Sequence, residues 1–270
     1  MRTTETMETM EPKFVNRVSG ENGWSGDNDH RGFKQLVDPD KLKQFTNTDN
    51  AKASCHLYLD HIKNTICGNY IGEQKDKSFD YIIKWMASSI SEPLDDKETT
   101  ALVLYSSMAG TGKGSFVRLF GQLFGSYFFH LTDSSRLDNR FNSLMRDRLL
   151  CYVDENLFAG DKTMQAILKG IQTENTFIVE SKEINVEIVS NHCRFIYART
   201  GNSGYKKNGG DRRFVVIDVP NKKMNGEKYN AMASQWANSG KEGFYYYLMS
   251  DEMQESIKHF DFKAGITSSS

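Results

Sequence analysis

The sequence predicts an α/β protein with a central parallel sheet, preceded by a small helical segment. Three observations predict it. Short runs at Ala101–Tyr105 and Leu149–Val153 are continuously apolar, as strands covered on both faces are, and Arg194–Ala198 and Phe214–Val219 read as two further core strands. Helical patterns alternate with these strands, which is the order that builds a parallel sheet. A glycine-rich loop joins the first run to an apolar helix through Phe116, Leu119, Phe120 and Leu123, which Gly125 ends.

The elements follow in order along the 270 residues. Residues 1–52 are rich in Gly, Asn, Asp and Thr and read as an irregular tail. Residues 53–98 form the helical lead-in. Leu57, Ile62 and Ile66 mark one apolar face; Tyr81, Ile82, Trp85, Met86 and Ile90 mark a second, ended by Pro93. Residues 99–222 hold the sheet core, with a helix expected over 161–171 and a hairpin over Thr176–Val189. Residues 223–270 read as helical again, with Trp236 and Phe244–Met249 supplying apolar contacts.

Composition limits the function classes. Lys and Arg number 34 against 35 Asp and Glu, so no global basic field advertises nucleic-acid binding; any grip must be local. No apolar run is long enough to span a bilayer, and Met1–Lys13 lacks the apolar stretch of a secretory signal. Cys55, Cys67, Cys151 and Cys193 make no C-x-x-C pair and read as reduced thiols, which points to a cytoplasmic protein. Cys55, His56, His61 and Cys67 fit no usual zinc spacing.

The chemistry centres on Ser107-Met-Ala-Gly-Thr-Gly-Lys-Gly-Ser115, between a buried strand and an apolar helix. Ala109, Gly110, Thr111 and Gly112 let backbone N–H groups turn inward around an anion. The helix start adds its partial positive charge. Lys113 supplies a full charge for the β- and γ-phosphates. Ser107 replaces the usual first glycine, and Gly114 stands where a hydroxyl residue normally follows the lysine. Ser115, one place later, becomes the candidate hydroxyl for Mg²⁺. This is the phosphate loop of a P-loop NTPase, and ATP with Mg²⁺ is its expected cofactor set.

Asp154-Glu155 directly follows the second apolar run. In an open parallel sheet ligands bind beyond the carboxyl ends of the strands, so both carboxylates belong beside the phosphate loop. Asp154 would hold Mg²⁺, usually through water. Glu155 would orient and deprotonate an attacking water. Arg212 and Arg213, before the last core strand, are candidates for a guanidinium finger on the γ-phosphate, often supplied by a neighbouring subunit.

These motifs, with Leu168-Lys-Gly-Ile-Gln-Thr173 through Glu180-Ser-Lys182, occur in the order seen in superfamily 3 helicases. The chain resembles the ATPase part of phage, plasmid and large-DNA-virus (poxvirus-type) primase–helicases over about residues 55–265. Ile83-Lys-Trp-Met-Ala87 and Pro93 also look like that group's lead-in. The resemblance implies an AAA+-like fold and a ring, usually a hexamer, that binds ATP between subunits and moves on single-stranded DNA. It implies a DNA contact at Lys182 on the hairpin, with Lys206 and Lys207 as the next basic cluster. It also implies action in viral, phage or plasmid DNA replication, in the host cytoplasm. No primase-like part is legible, so priming would fall to a separate partner. The family normally carries an Asn after the third core strand to polarise the attacking water. Here Thr200 takes that place and Asn202 comes two residues late.

Two other functions compete. The Gly112-Lys-Gly-Ser115 pattern also suits a nucleotide kinase, whose lid could recruit Arg136, Arg140, Arg146 and Arg148. The departures at Ser107, Gly114 and Thr200 suit an ATP-binding scaffold that does not turn over.

Overall fold

The computed structural model describes residues 37–91, 100–132, 144–154, 170, 172, 174–180, 186–201 and 213–266. The strands are β1 (Ala101–Ser106), β2 (Phe128–Leu131), β3 (Leu150–Asp154), β4 (Thr176–Glu180), β5 (Val186–Ser190), β6 (Arg194–Thr200) and β7 (Phe214–Asp218). Five of them form one sheet in the order β2-β3-β6-β1-β7, and every neighbouring pair is parallel. β4 and β5 pair antiparallel as a separate hairpin.

The expected strands are all present. β2 is an addition. Phe128-Phe-His-Leu131 is a four-residue edge strand, largely half-buried. It has neither an apolar run nor an alternation long enough to read. The helix expected over 161–171 falls almost wholly outside the described residues.

The helices are α1 (Pro39–Leu42), α2 (Thr48–Ser54), α3 (His56–Asp60), α4 (Gly72–Ser91), α5 (Lys113–Gly121), α6 (Gly226–Gln235), α7 (Lys241–Leu248) and α8 (Asp251–Lys258). α3 runs on into a π-helical turn, His61–Ile66, and α6 into another, Trp236–Gly240. α1 and α2 lie where the sequence suggested irregular chain. Side-chain caps begin both. Asp38 accepts from the Asp40 N–H at 2.9 Å, with Pro39 opening the helix. Asn47 accepts from the Asn50 N–H at 2.9 Å.

Both sheet faces are covered, which is why β1 and β3 carry continuous apolar runs. On one face Leu102, Leu104, Leu150, Tyr152, Ile196 and Ile217 meet Phe116 and Phe120 of α5 and the lead-in and C-terminal helices in a single core. On the other, Val103, Val153, Phe195 and Tyr197 pack with Val189 of the hairpin. Tyr58 joins three segments of the first core. Its ring meets Trp236 at 4.7 Å and Phe244 at 5.1 Å, both edge to face. Its hydroxyl donates to the Phe116 carbonyl at 2.8 Å. Trp85 Nε1 donates to the Thr100 carbonyl at 2.6 Å, tying α4 to the start of β1.

α2 and α7 approach so closely that Gly243 has no room for a side chain. A Cβ there would run into Ser54 Oγ and stand 2.8 Å from the Ala51 carbonyl oxygen. Gly243→Ala must therefore push backbone from backbone, and the expected loss is about 1–3 kcal/mol. Urea unfolding of both proteins measures it; equal midpoints would contradict the packing described.

Candidate nucleotide site

The site lies at the carboxyl ends of β1, β6 and β3. Parallel register sets Ser106 beside Thr200 and Asp154 beside Ala198. β6 thus separates the phosphate-loop strand from the carboxylate strand. Two strand spacings hold them about 10 Å apart.

Lys113 opens α5, and its side chain folds back under the loop, 6% exposed. Its Nζ donates to Ser106 Oγ, to Thr111 Oγ1 at 3.3 Å, to Thr200 Oγ1 at 3.3 Å and to the Met108 carbonyl at 3.4 Å. These are the kinds of partner a desolvated ammonium needs. Thr111 is itself buried and Thr200 half-buried. The placing of Thr200 at the lysine puts a hydroxyl where the resemblance called for an amide. The sequence does not single out Ser106, which falls between the predicted strand Ala101–Tyr105 and the loop from Ser107.

The loop is braced from outside. Asn221 Oδ1 accepts from the Ser107 N–H at 2.7 Å. The Met224 N–H donates to the Gly110 carbonyl at 2.9 Å. His61, fully buried, sets Nε2 at 3.1 Å from the Gly112 carbonyl. A carbonyl only accepts, so Nε2 carries the proton; Nδ1 is buried with no hydrogen-bond partner among the described residues. Gly112 has φ +97°, and a Cβ there would stand 2.5 Å from His61 Cε1, so two independent constraints require glycine. Ser107, Ala109 and Gly110 are exposed along the loop mouth, and Gly114 and Ser115 are half-buried on the first turn of α5.

Asp154 ends β3, half-exposed on the α5 side of the sheet. His130 of β2 stacks on Tyr152, ring centroids 4.5 Å apart and 18° from parallel. Its Nε2 stands 3.7 Å from Asp154 Oδ2. Burial holds the His130 imidazole below its ordinary value, against the opposing pull of Asp154.

The donor set fits a magnesium ion. The Asp154 carboxylate and the Ser115 hydroxyl are hard oxygens at one end of the fold. Magnesium takes few protein ligands of this kind, completing its shell from water and phosphate.

Arg213 stands elsewhere. Phe214 pairs with Ala101 at the start of β1, so Arg213 lies at the amino end of the sheet. The length of β1 separates it from the phosphate loop by about 17 Å. Its carbonyl accepts from Gln172 Nε2 and from the Ala101 N–H. Arg146 and Arg148, considered for a kinase lid, also precede their strand at that end; Arg148 donates to the Leu144 and Ser126 carbonyls. Glu155, Lys182, Asn202, Lys206, Lys207 and Arg212 lie outside the described residues, as do Arg136 and Arg140.

With this geometry the comparisons with known proteins can be placed. A family of unknown function (DUF5906) matches residues 104–213, from within β1 to the start of β7. The chain is 26% identical over 184 residues to the DNA primase-polymerase of Nitratiruptor phage NrS-1, an alignment covering 67% of this chain and 25% of the phage protein. The chain thus spans about a quarter of that relative's length. The apo structure of the NrS-1 C-terminal region superposes with a TM-score of 0.57 at 22% identity, over 74% of this chain and 50% of that one. An A form of the same region gives 0.55. These structures share the α/β fold with its central parallel sheet. No helix among the described residues is long and apolar enough to cross a membrane.

Burial pushes the His61 pKa down to about 4 from 6.5. The folded state therefore binds fewer protons than the unfolded one between those values. Stability from this group is complete above about pH 6.5 and is lost as pH falls towards 4, by about 3 kcal/mol in all. His61→Gln keeps an N–H for Gly112 and removes the titration. Melting from pH 7 to 4.5 should fall less steeply in the variant; parallel curves would refute the assignment.

Proposed function

We propose that this chain is the ATP-hydrolysing motor of a superfamily 3-type DNA helicase, acting in replication of phage, plasmid or viral DNA. The observation that carries the reading is Lys113: buried at a strand–loop–helix junction, beside Thr200, at the sheet end that also presents Asp154. The likeness to a phage DNA primase-polymerase supports the replicative setting. Priming itself is assigned to a separate partner.

The loop N–H groups and the start of α5 receive the phosphates, and Lys113 neutralises the β- and γ-oxygens. Asp154 and Ser115 would hold Mg²⁺, which supplies charge neutralisation across the transferring phosphoryl group. Glu155, next after Asp154, takes the proton of the attacking water. Thr200 and Asn202 are the candidates for orienting that water, Thr200 Oγ1 already standing at the lysine. Lys182, with Lys206 and Lys207, provides the contacts to single-stranded DNA.

The finger comes from a second copy in a ring, for which a hexamer is the expected form. Arg213 is too far from the loop of its own chain for an arginine side chain to reach. Arg212 precedes it in the same link, outside the described residues.

Lys113→Ala should abolish ATP turnover while leaving the protein folded, since the substitution removes the desolvation cost of the ammonium together with its hydrogen bonds. Hydrolysis retained by folded variant protein would end the phosphate-loop assignment. The finger has a separate test. Mixing Arg213→Ala protein with Lys113→Ala protein should restore part of the turnover, because some mixed interfaces combine an intact loop with an intact arginine; Arg212→Ala is the parallel mixture. Confirmed co-assembly with no rescue in either mixture would exclude a finger supplied in trans by this link.

A further inference from the structure

His130 has no role in the reading above, yet its surroundings are specific. Register sets it beside Tyr152 on adjacent strands. The two rings stack, which fixes the imidazole plane. Asp154 lies two residues beyond Tyr152 and so on the same sheet face. Nε2 is buried and has no hydrogen-bond partner among the described residues, and the nearest acceptor charge is Asp154 Oδ2 at 3.7 Å. Burying an N–H without a partner costs about 1–3 kcal/mol. A stacked ring that aims such a group at a carboxylate is placed for a bond that a small closing movement completes.

We propose that His130 is a positioning residue for Asp154: its Nε2–H donates to Oδ2 and turns Oδ1 towards the bound cation. The inference rests on the ATP reading of the site and deepens it, by assigning the residue that orients the metal-holding carboxylate. A carboxylate free to rotate offers its oxygens to a cation in many directions. One oxygen held by a fixed donor leaves the other in a single direction, and the tie raises metal affinity without touching the metal. Tyr152 fixes the ring, the ring fixes Oδ2, and the strand pairing of β2 with β3 keeps the three in register. Nucleotide binding without metal does not use this tie.

The test measures metal affinity rather than turnover. Mn²⁺ is titrated into the full chain with ADP bound, and free Mn²⁺ is read by electron paramagnetic resonance. His130→Phe keeps the stacked ring and removes the donor. It should weaken Mn²⁺ binding about 10-fold or more, within the range for loss of an outer hydrogen bond to a metal ligand. His130→Gln, whose amide nitrogen reaches about as far as Nε2, should recover most of the loss. ADP affinity in EDTA should be the same in all three proteins, which also controls for folding. In an Asp154→Asn background, His130→Phe should have no further effect on Mn²⁺, because the residue acts through that carboxylate. Equal Mn²⁺ affinity in parent and His130→Phe would overturn the role of His130 and leave the ATP reading standing. An undiminished His130→Phe effect in the Asp154→Asn background would also overturn it. Failure of the parent to bind ADP at all would overturn the ATP reading, and this inference with it.

Discussion

An ammonium group held almost out of water is the constraint around which this fold is arranged. Burying Lys113 is tolerable because oxygens converge on Nζ from places that include the end of β1, the loop, and the end of β6. That convergence requires β6 to lie beside β1, which in turn requires the crossover that inserts β6 between β1 and β3. It also requires the loop to keep its shape. The shape is held from outside by His61, Asn221 and Met224, which come from the lead-in and from the chain after β7. Sheet order, lead-in and C-terminal link therefore all serve one side chain.

Much of this was legible because local chemistry and final position agree. Strands covered on both faces are mostly apolar, so the runs in β1 and β3 announce themselves and the apolar centres of β6 and β7 follow. The loop from Ser107 to Ser115 is contiguous, and Gly110 and Gly112 take positive φ, a backbone demand that glycine meets. Thr200 stands where the resemblance to superfamily 3 helicases expects an Asn, and the register sets it beside Ser106.

What was not legible depends on contacts distant in sequence or on elements too short for a period. β2 is four residues at a sheet edge, half wet, with no pattern to detect. α1 and α2 are capped by Asp38 and Asn47 but carry little apolar stripe, so the polar composition around them hides both helices. His61 sits in an ordinary amphipathic stretch; only its approach to Gly112, 51 residues away, separates it from a core histidine. His130 is hidden for the same reason, being read from a strand that the sequence did not disclose.

The strand order also governs how the chain must acquire its shape. β1 sits in the interior of the sheet, and both its neighbours come from much later: Leu102 pairs with Ile196 on one side and with Val215 on the other. During synthesis an apolar strand with two open edges must wait for more than a third of the polypeptide to follow it. Loop-closure entropy has to be overcome before those pairings return anything, so assembly of this sheet is expected to be slow for its size. Unpaired apolar edges are also the surfaces through which nascent chains associate wrongly. A sheet whose central strand is completed last keeps the loop after β1 from its final shape until Thr200 of β6 and Asn221 beyond β7 have joined it.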